Sequence, residues 1–170
     1  MKILIIGDSF AAKYNSAYPG WSELLEKEYQ VTNLAQAGVS EYKILKQVES
    51  VDVNSFDCAI VSHTSPYRIH TAYHPLHTEG LHKHCDFIYE DIRGRLPDVE
   101  KFFTEYFDLE YAKTVYNLLK QQISKNLQSI RTIDTEDLDL LKLFNTHPGE
   151  VQHLSASANE TFYQRIKGLL

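Results

Sequence analysis

Cysteine is scarce in this chain, with two in 170 residues. Cys58 falls in an apolar run and Cys85 in a polar, His-rich stretch, which excludes a disulfide framework and makes a reducing compartment the expected setting. Basic charge is in deficit as well. A formal net charge of −6 and a pI near 5.7 leave no face that neutralises a row of phosphates, so neither nucleic acid nor an anionic membrane surface is an expected partner. Long apolar runs are missing. The N-terminus has one lysine and four aliphatic residues before Gly7, too short for a signal-peptide core, and no later run approaches a membrane span. A soluble, cytoplasmic protein is expected. The few glycines and prolines exclude fibrous and low-complexity classes, and the chain is long enough to bury roughly 70% of its unfolded surface as one domain over residues 1–170.

What is present is an alternation of strand and helix patterns. Lys2 to Ile6 is an unbroken β-prone run ended by glycine, the pattern of a central parallel strand. "GWSELLEKEY" spaces Trp21, Leu24, Leu25 and Glu28 as a helix does, and "QVTNLA" at 30–35 reads as a second strand. "SEYKILKQVESV" opens with Ser40 as an N-cap, and "DCAIVSH" at 57–63 reads as a third strand.

Residues 64–95 break the rhythm with two prolines, two glycines and five histidines. Helical spacing returns from Leu96 to about Leu127, as two helices or one bent near Asp108, and Phe102, Phe103, Tyr106, Phe107 and Tyr111 are expected in the core. "SIRTID" reads as a short fourth strand, and "TEDLDLLKLF" as a short helix opened by Thr135. "SASANETFYQRIKGLL" reads as a C-terminal helix capped by Ser155 or Ser157. Such alternation predicts an α/β protein with three α/β/α layers around a flavodoxin-like parallel sheet.

Parallel sheets bind ligands at the carboxyl ends of their strands, where "GDS" at 7–9 must lie. Two further blocks follow in order: "NLAQAGVS" ends the second strand with Gly38, and "EVQHLS" puts His153 just before the last helix. Together the three blocks, spread over nearly the whole chain, resemble the SGNH hydrolase family, also called GDSL esterases and lipases. The resemblance implies Ser9 as nucleophile, Gly38 as donor of an oxyanion N–H beside that of Ser9, and His153 as the base. The residue types suit the chemistry, since a serine hydroxyl attacks only when an imidazole takes its proton and fixed donors meet the developing oxyanion.

Two positions depart from the family pattern. Glu150 stands where the family has the triad aspartate, and "VSHTSPYR" has no asparagine where the family has an oxyanion donor. Either His63, Thr64 or Ser65 is then the substitute, with Thr64 and Ser65 favoured, or the enzyme works on a less demanding ester. The long loop reads as a lid or recognition element, with Arg68, Tyr67 and Tyr73 suited to a polar, even anionic, sugar-like substrate. His70, His74, His77, His82, His84 and Cys85 crowd one stretch of it, but their spacing fits no standard zinc motif, and no metal or cofactor is expected.

The resemblance implies a serine esterase acting through an acyl-enzyme on small esters such as O-acetyl groups on carbohydrate. Acyl transfer by the same Ser-His pair, and a non-catalytic binding or partner module on the same fold, are the alternatives, with a metal protein of the His-rich loop as a third, weaker one.

Overall fold

Four parallel strands in the order β2-β1-β3-β4 form the sheet. The structure is a computed structural model, and it describes residues 1–14, 17–146 and 153–170. The strands are β1 (Lys2–Gly7), β2 (Gln30–Asn33), β3 (Cys58–Ser62) and β4 (Arg131–Asp134). The helices are α1 (Trp21–Leu25), α2 (Glu41–Glu49), α3 (Tyr89–Ile92), α4 (Pro97–Glu105), α5 (Leu109–Asn126), α6 (Leu140–Thr146) and α7 (Ala156–Lys167). The register pairs Ile3 with Val31 and Cys58, and Ile60 with Ile133.

Strand alternation divides the core in two. Ile3, Ile5, Cys58, Ile60 and Ile133 face one way and pack with Trp21, Leu25, Leu140, Phe162 and Ile166. Leu4, Ile6, Ala59 and Val61 face the other way and pack with Ile44, Leu45, Val48, Ile123 and Leu127. Helices on both faces explain why β1 is apolar at successive positions instead of alternating, and Ile3 to Ile6 are fully buried. The α/β/α flavodoxin-like architecture is as the sequence predicts. No helix of the described residues is long and apolar enough to cross a membrane.

Several expectations are corrected. The first helix stops at Leu25, because the Lys27, Glu28 and Tyr29 N–H groups turn back onto Leu24 and Leu25 to lead the chain into β2. The segment opened by Thr135 divides into a 3-10 turn (Glu136–Leu138) and α6, broken where Asp139 adopts a left-handed conformation (φ 58°). The stretch from 96 to 127 is two helices, one of the two arrangements expected, with the Asp108 carboxylate accepting the Glu110 and Tyr111 N–H groups at the start of α5. The aromatic residues there are not core. Phe102, Tyr106 and Tyr111 are exposed, Phe103 and Phe107 are half-buried, and α4 buries no residue at all. Their rings pack on one another instead, Phe103 on Phe107 at 5.1 Å and on Phe102 at 5.9 Å.

Candidate active site

β1 ends at Gly7, whose φ of +149° is open to glycine and whose hypothetical Cβ would lie 2.5 Å from the Ser62 carbonyl oxygen. Only glycine lets β1 and β3 stay this close. The Gln47 side chain of α2 closes the strand end, accepting the Gly7 N–H (2.7 Å) and donating to its carbonyl (3.1 Å).

The following turn carries Ser9 and is fixed on every side. Asp8 N–H donates to the Ser62 carbonyl, and the Asp8 carbonyl accepts from Ala11 and Ala12. Trp21 Nε1 donates to the Phe10 carbonyl (2.7 Å) and Asn33 Nδ2 to that of Ala11 (2.8 Å). The Asp8 side chain is itself buried, accepting from the Phe10 N–H (3.1 Å) and the Ser62 hydroxyl (3.3 Å). Burial pushes its pKa up to about 6, against the opposing pull of the Phe10 N–H and the Arg68 charge.

Ser9, Gly38, Thr64, Ser65, Arg68 and His153 all line one cleft of about 1280 Å³ at the carboxyl ends of the strands. The ring of Tyr14, which also lines the cleft, lies 4.2 Å from that of His153, and His153 also packs on Phe10 at 5.8 Å. His153 is placed by the start of α7. There the Ser155 hydroxyl accepts the Ala158 N–H, and Asn159 Nδ2 donates to the Leu154 carbonyl. Glu150, the expected triad acid, lies outside the described residues.

Gly38 has φ +73°, and a Cβ there would lie 2.7 Å from Cys85 Cβ, so the long loop packs directly on this glycine. Of the two favoured candidates for the missing oxyanion donor, Thr64 is the better placed. Its Oγ1 is buried in the cleft wall with no hydrogen-bond partner, whereas the Ser65 hydroxyl accepts the Tyr67 N–H (3.2 Å). Arg68 reaches the cleft with its Nε buried and unpartnered, while Nη1 donates to the Asp86 carbonyl (3.3 Å). Tyr67 and Tyr73 are exposed and line no part of this cleft.

Sequence reasoning made His63 only a lesser candidate donor and missed its two acidic partners. The His63 side chain is buried between Glu41, 2.5 Å from Nδ1, and Asp134, 3.3 Å from Nε2. Burial alone would lower the imidazole pKa, but hydrogen bonds with Asp134 and Glu41 outweigh it and push it up to about 9, while Asp134 is held below its ordinary value. His63 is therefore a fixed cation in the cleft wall at neutral pH. A histidine directly ending an apolar strand was the available signal. Its two acidic partners lie on other elements and leave no local pattern.

A second, apolar pocket of about 340 Å³ opens beside the cleft and shares Ser65, Pro66, Arg68 and Tyr116 with it. Tyr42, Phe102, Tyr106, Phe107, Tyr111 and Tyr116 are among its rings, so most of the aromatic stretch lines this pocket and not the core. No protein-family model matches the chain, and no curated protein matches it.

Proposed function

We propose that the protein is a serine esterase of the SGNH type, acting on small acylated molecules. The observation that carries the reading is the convergence of Ser9, Gly38, Thr64 and His153, distant in sequence, on one cleft at the carboxyl ends of a parallel sheet. In this mechanism Ser9 attacks the ester carbonyl and its proton passes to His153, with Glu150 orienting the imidazole. The Ser9 and Gly38 N–H groups and the Thr64 hydroxyl hold the oxyanion. The alcohol leaves with the proton from His153, and water activated by His153 then releases the acyl group from Ser9.

The neighbouring aromatic pocket supports an acylated sugar as substrate, because tyrosine and phenylalanine rings stack on the apolar face of a pyranose while Arg68 meets a polar or anionic substituent. A sugar acceptor in place of water turns the same residues to acyl transfer. A cytoplasmic setting suits the two free cysteines, both buried.

The test is hydrolysis of p-nitrophenyl acetate by wild type, Ser9→Ala and His153→Ala, with folding verified by circular dichroism. Loss of about 10³-fold or more in both variants is the expected result. Full activity in Ser9→Ala removes the mechanism. Product analysis with an acetylated sugar and a free sugar acceptor separates hydrolysis from transfer.

One observation favours a second reading, a ligand-binding module on this fold. Where the family has its asparagine, the chain carries a histidine locked between two carboxylates. An inert wild type that still binds acylated sugars by calorimetry supports that reading over the esterase.

A further inference from the structure

The segment 64–95 contains little regular structure: one isolated antiparallel bridge between Ile69 and Phe87, and the four-residue α3. Within it the fold gathers four side chains that sequence spacing did not connect. One ligand-type atom from each of His74, His77, Cys85 and Asp91 lies within 4.8 Å of the other three. His77 Nε2 is 2.7 Å and His74 Nε2 3.4 Å from the same Asp91 oxygen, Oδ2. Four ligands at zinc bond lengths around a tetrahedral centre stand roughly 3.3–3.8 Å apart, within the range these atoms already span.

A second observation is independent of that spacing. His74 is only 1% exposed, and its Nε2 is buried without a hydrogen-bond partner. Buried polar atoms almost always have partners, and this one lies 3.4 Å from Asp91 Oδ2 without a hydrogen bond to it. The donor set of two imidazoles, one thiolate and one carboxylate is of the kind that zinc takes in closed, four-coordinate sites, and soft sulfur excludes magnesium and calcium.

We propose that His74, His77, Cys85 and Asp91 bind one zinc-class divalent cation, which fastens the 64–95 segment to the wall of the cleft. Binding forms a metal–sulfur bond at Cys85 and sends the thiol proton to solvent. The surroundings are arranged for it. Arg95 Nη1 donates to Asp91 Oδ1 (3.0 Å), leaving Oδ2 turned toward the two histidines. Loading replaces two existing contacts, the hydrogen bond between His77 Nε2 and Asp91 Oδ2 (2.7 Å) and the long one from the Leu76 N–H to His74 Nδ1 (3.3 Å). Cys85 packs against Gly38, and Cys85, His77 and Asp91 line the cleft with Ser9, so the cation secures the wall that faces the serine. The proposal does not depend on the esterase reading, and its test does not read activity.

The experiment adds Zn(II) or Co(II) to the full chain after chelator treatment and gel filtration. The expected result is one equivalent retained per chain by elemental analysis, a raised Tm, and a thiolate-to-cobalt charge-transfer band in the near ultraviolet. Cys85→Ser should abolish that band. His77→Ala and Asp91→Asn, at partly exposed positions that leave the fold intact, should each weaken Zn(II) binding at least about tenfold. His84→Ala, beside Cys85 but outside the cluster, should bind as wild type does. The proposal is overturned if folded wild type retains no stoichiometric metal or gives no thiolate band. Binding unchanged in His77→Ala and Asp91→Asn, which marks an adventitious ion only, overturns it equally.

Discussion

The two sides of the cleft are held by different means. On the sheet side, the Ser9 turn is tied by main-chain bonds to Ser62, by Trp21 and Asn33 donating to its carbonyls, and by the bidentate Gln47 bond at Gly7. On the other side, the 64–95 segment hangs largely on one carboxylate. Asp86 is fully buried and accepts the Ser40 N–H (2.7 Å), the Thr71 N–H (2.8 Å) and Lys43 Nζ (2.8 Å). Distributed backbone bonding makes the first wall insensitive to most single side chains. Concentrated charge makes the second depend on a few, of which Asp86 is the most exposed to test.

Asp86→Ala should therefore give the largest effect, because it strands the buried Ser40 N–H and the half-buried Thr71 N–H and leaves the Lys43 ammonium with only the His84 carbonyl. A loss of about 3–5 kcal/mol is expected in urea denaturation. Hydrogen exchange should locate the opening in 64–95 and leave β1 protected. Uniform loss of protection across both walls would show that they form one cooperative unit. Gly7→Ala attacks the sheet side at its one vulnerable point, where positive φ and a Cβ 2.5 Å from the Ser62 oxygen coincide. It should cost about 3 kcal/mol, read in the same denaturation experiment. Its effect should appear as loss of protection in β1 and β3 first.

That contrast also separates what the sequence could tell from what it could not. β1, the order of elements and the Ser155 cap were legible because each is written in contiguous residues: an aliphatic run closed by glycine, a helical period, a serine before it. Ser9, Gly38 and His153 were legible as three short blocks, and the fold brings them to one cleft. The loop side was not legible, since its bonds join Asp86 to Ser40 and His63 to Glu41 and Asp134 across elements. The aromatic residues from Phe102 to Tyr111 were misread for a related reason. Helical spacing of rings marks an apolar face, but does not say whether that face meets the core or lines a pocket.

Acidity sharpens the comparison with a smaller effect. Asp8 on the sheet side has its pKa raised by burial from 3.8 to about 6, so the folded state holds its proton more tightly than the unfolded state does. Its contribution is complete below pH 4 and falls by about 3 kcal/mol as pH rises to 6. His63 is raised from 6.5 to about 9, so its contribution is complete below pH 6.5 and is lost as pH rises through 9. Asp134, held low, acts in the opposite sense and loses its contribution as pH falls through the acid range. Urea midpoints measured across pH 4–10 should show the Asp8 slope vanish in Asp8→Asn and the alkaline slope vanish in His63→Gln. A slope that survives its variant means that another group carries it.

The smallest effect is expected where His153 meets α7. The Ser155 hydroxyl accepts a single N–H, from Ala158 at 3.3 Å, and the same helix start is held independently by Asn159, which accepts the Trp21 N–H and donates to the Leu154 and Ser155 carbonyls. Ser155→Ala should thus cost about 1 kcal/mol, the ordinary value for a lost N-cap, in thermal or urea unfolding. Because Asn159 still fixes the chain leading from His153, ester hydrolysis should change by less than about threefold at a temperature where the variant is folded, on the esterase reading. Loss of activity out of proportion to that stability change would mean that the cap itself sets the imidazole's position. His153 would then belong with the 64–95 segment, as a group placed by one side-chain bond, and not with the redundantly tied Ser9.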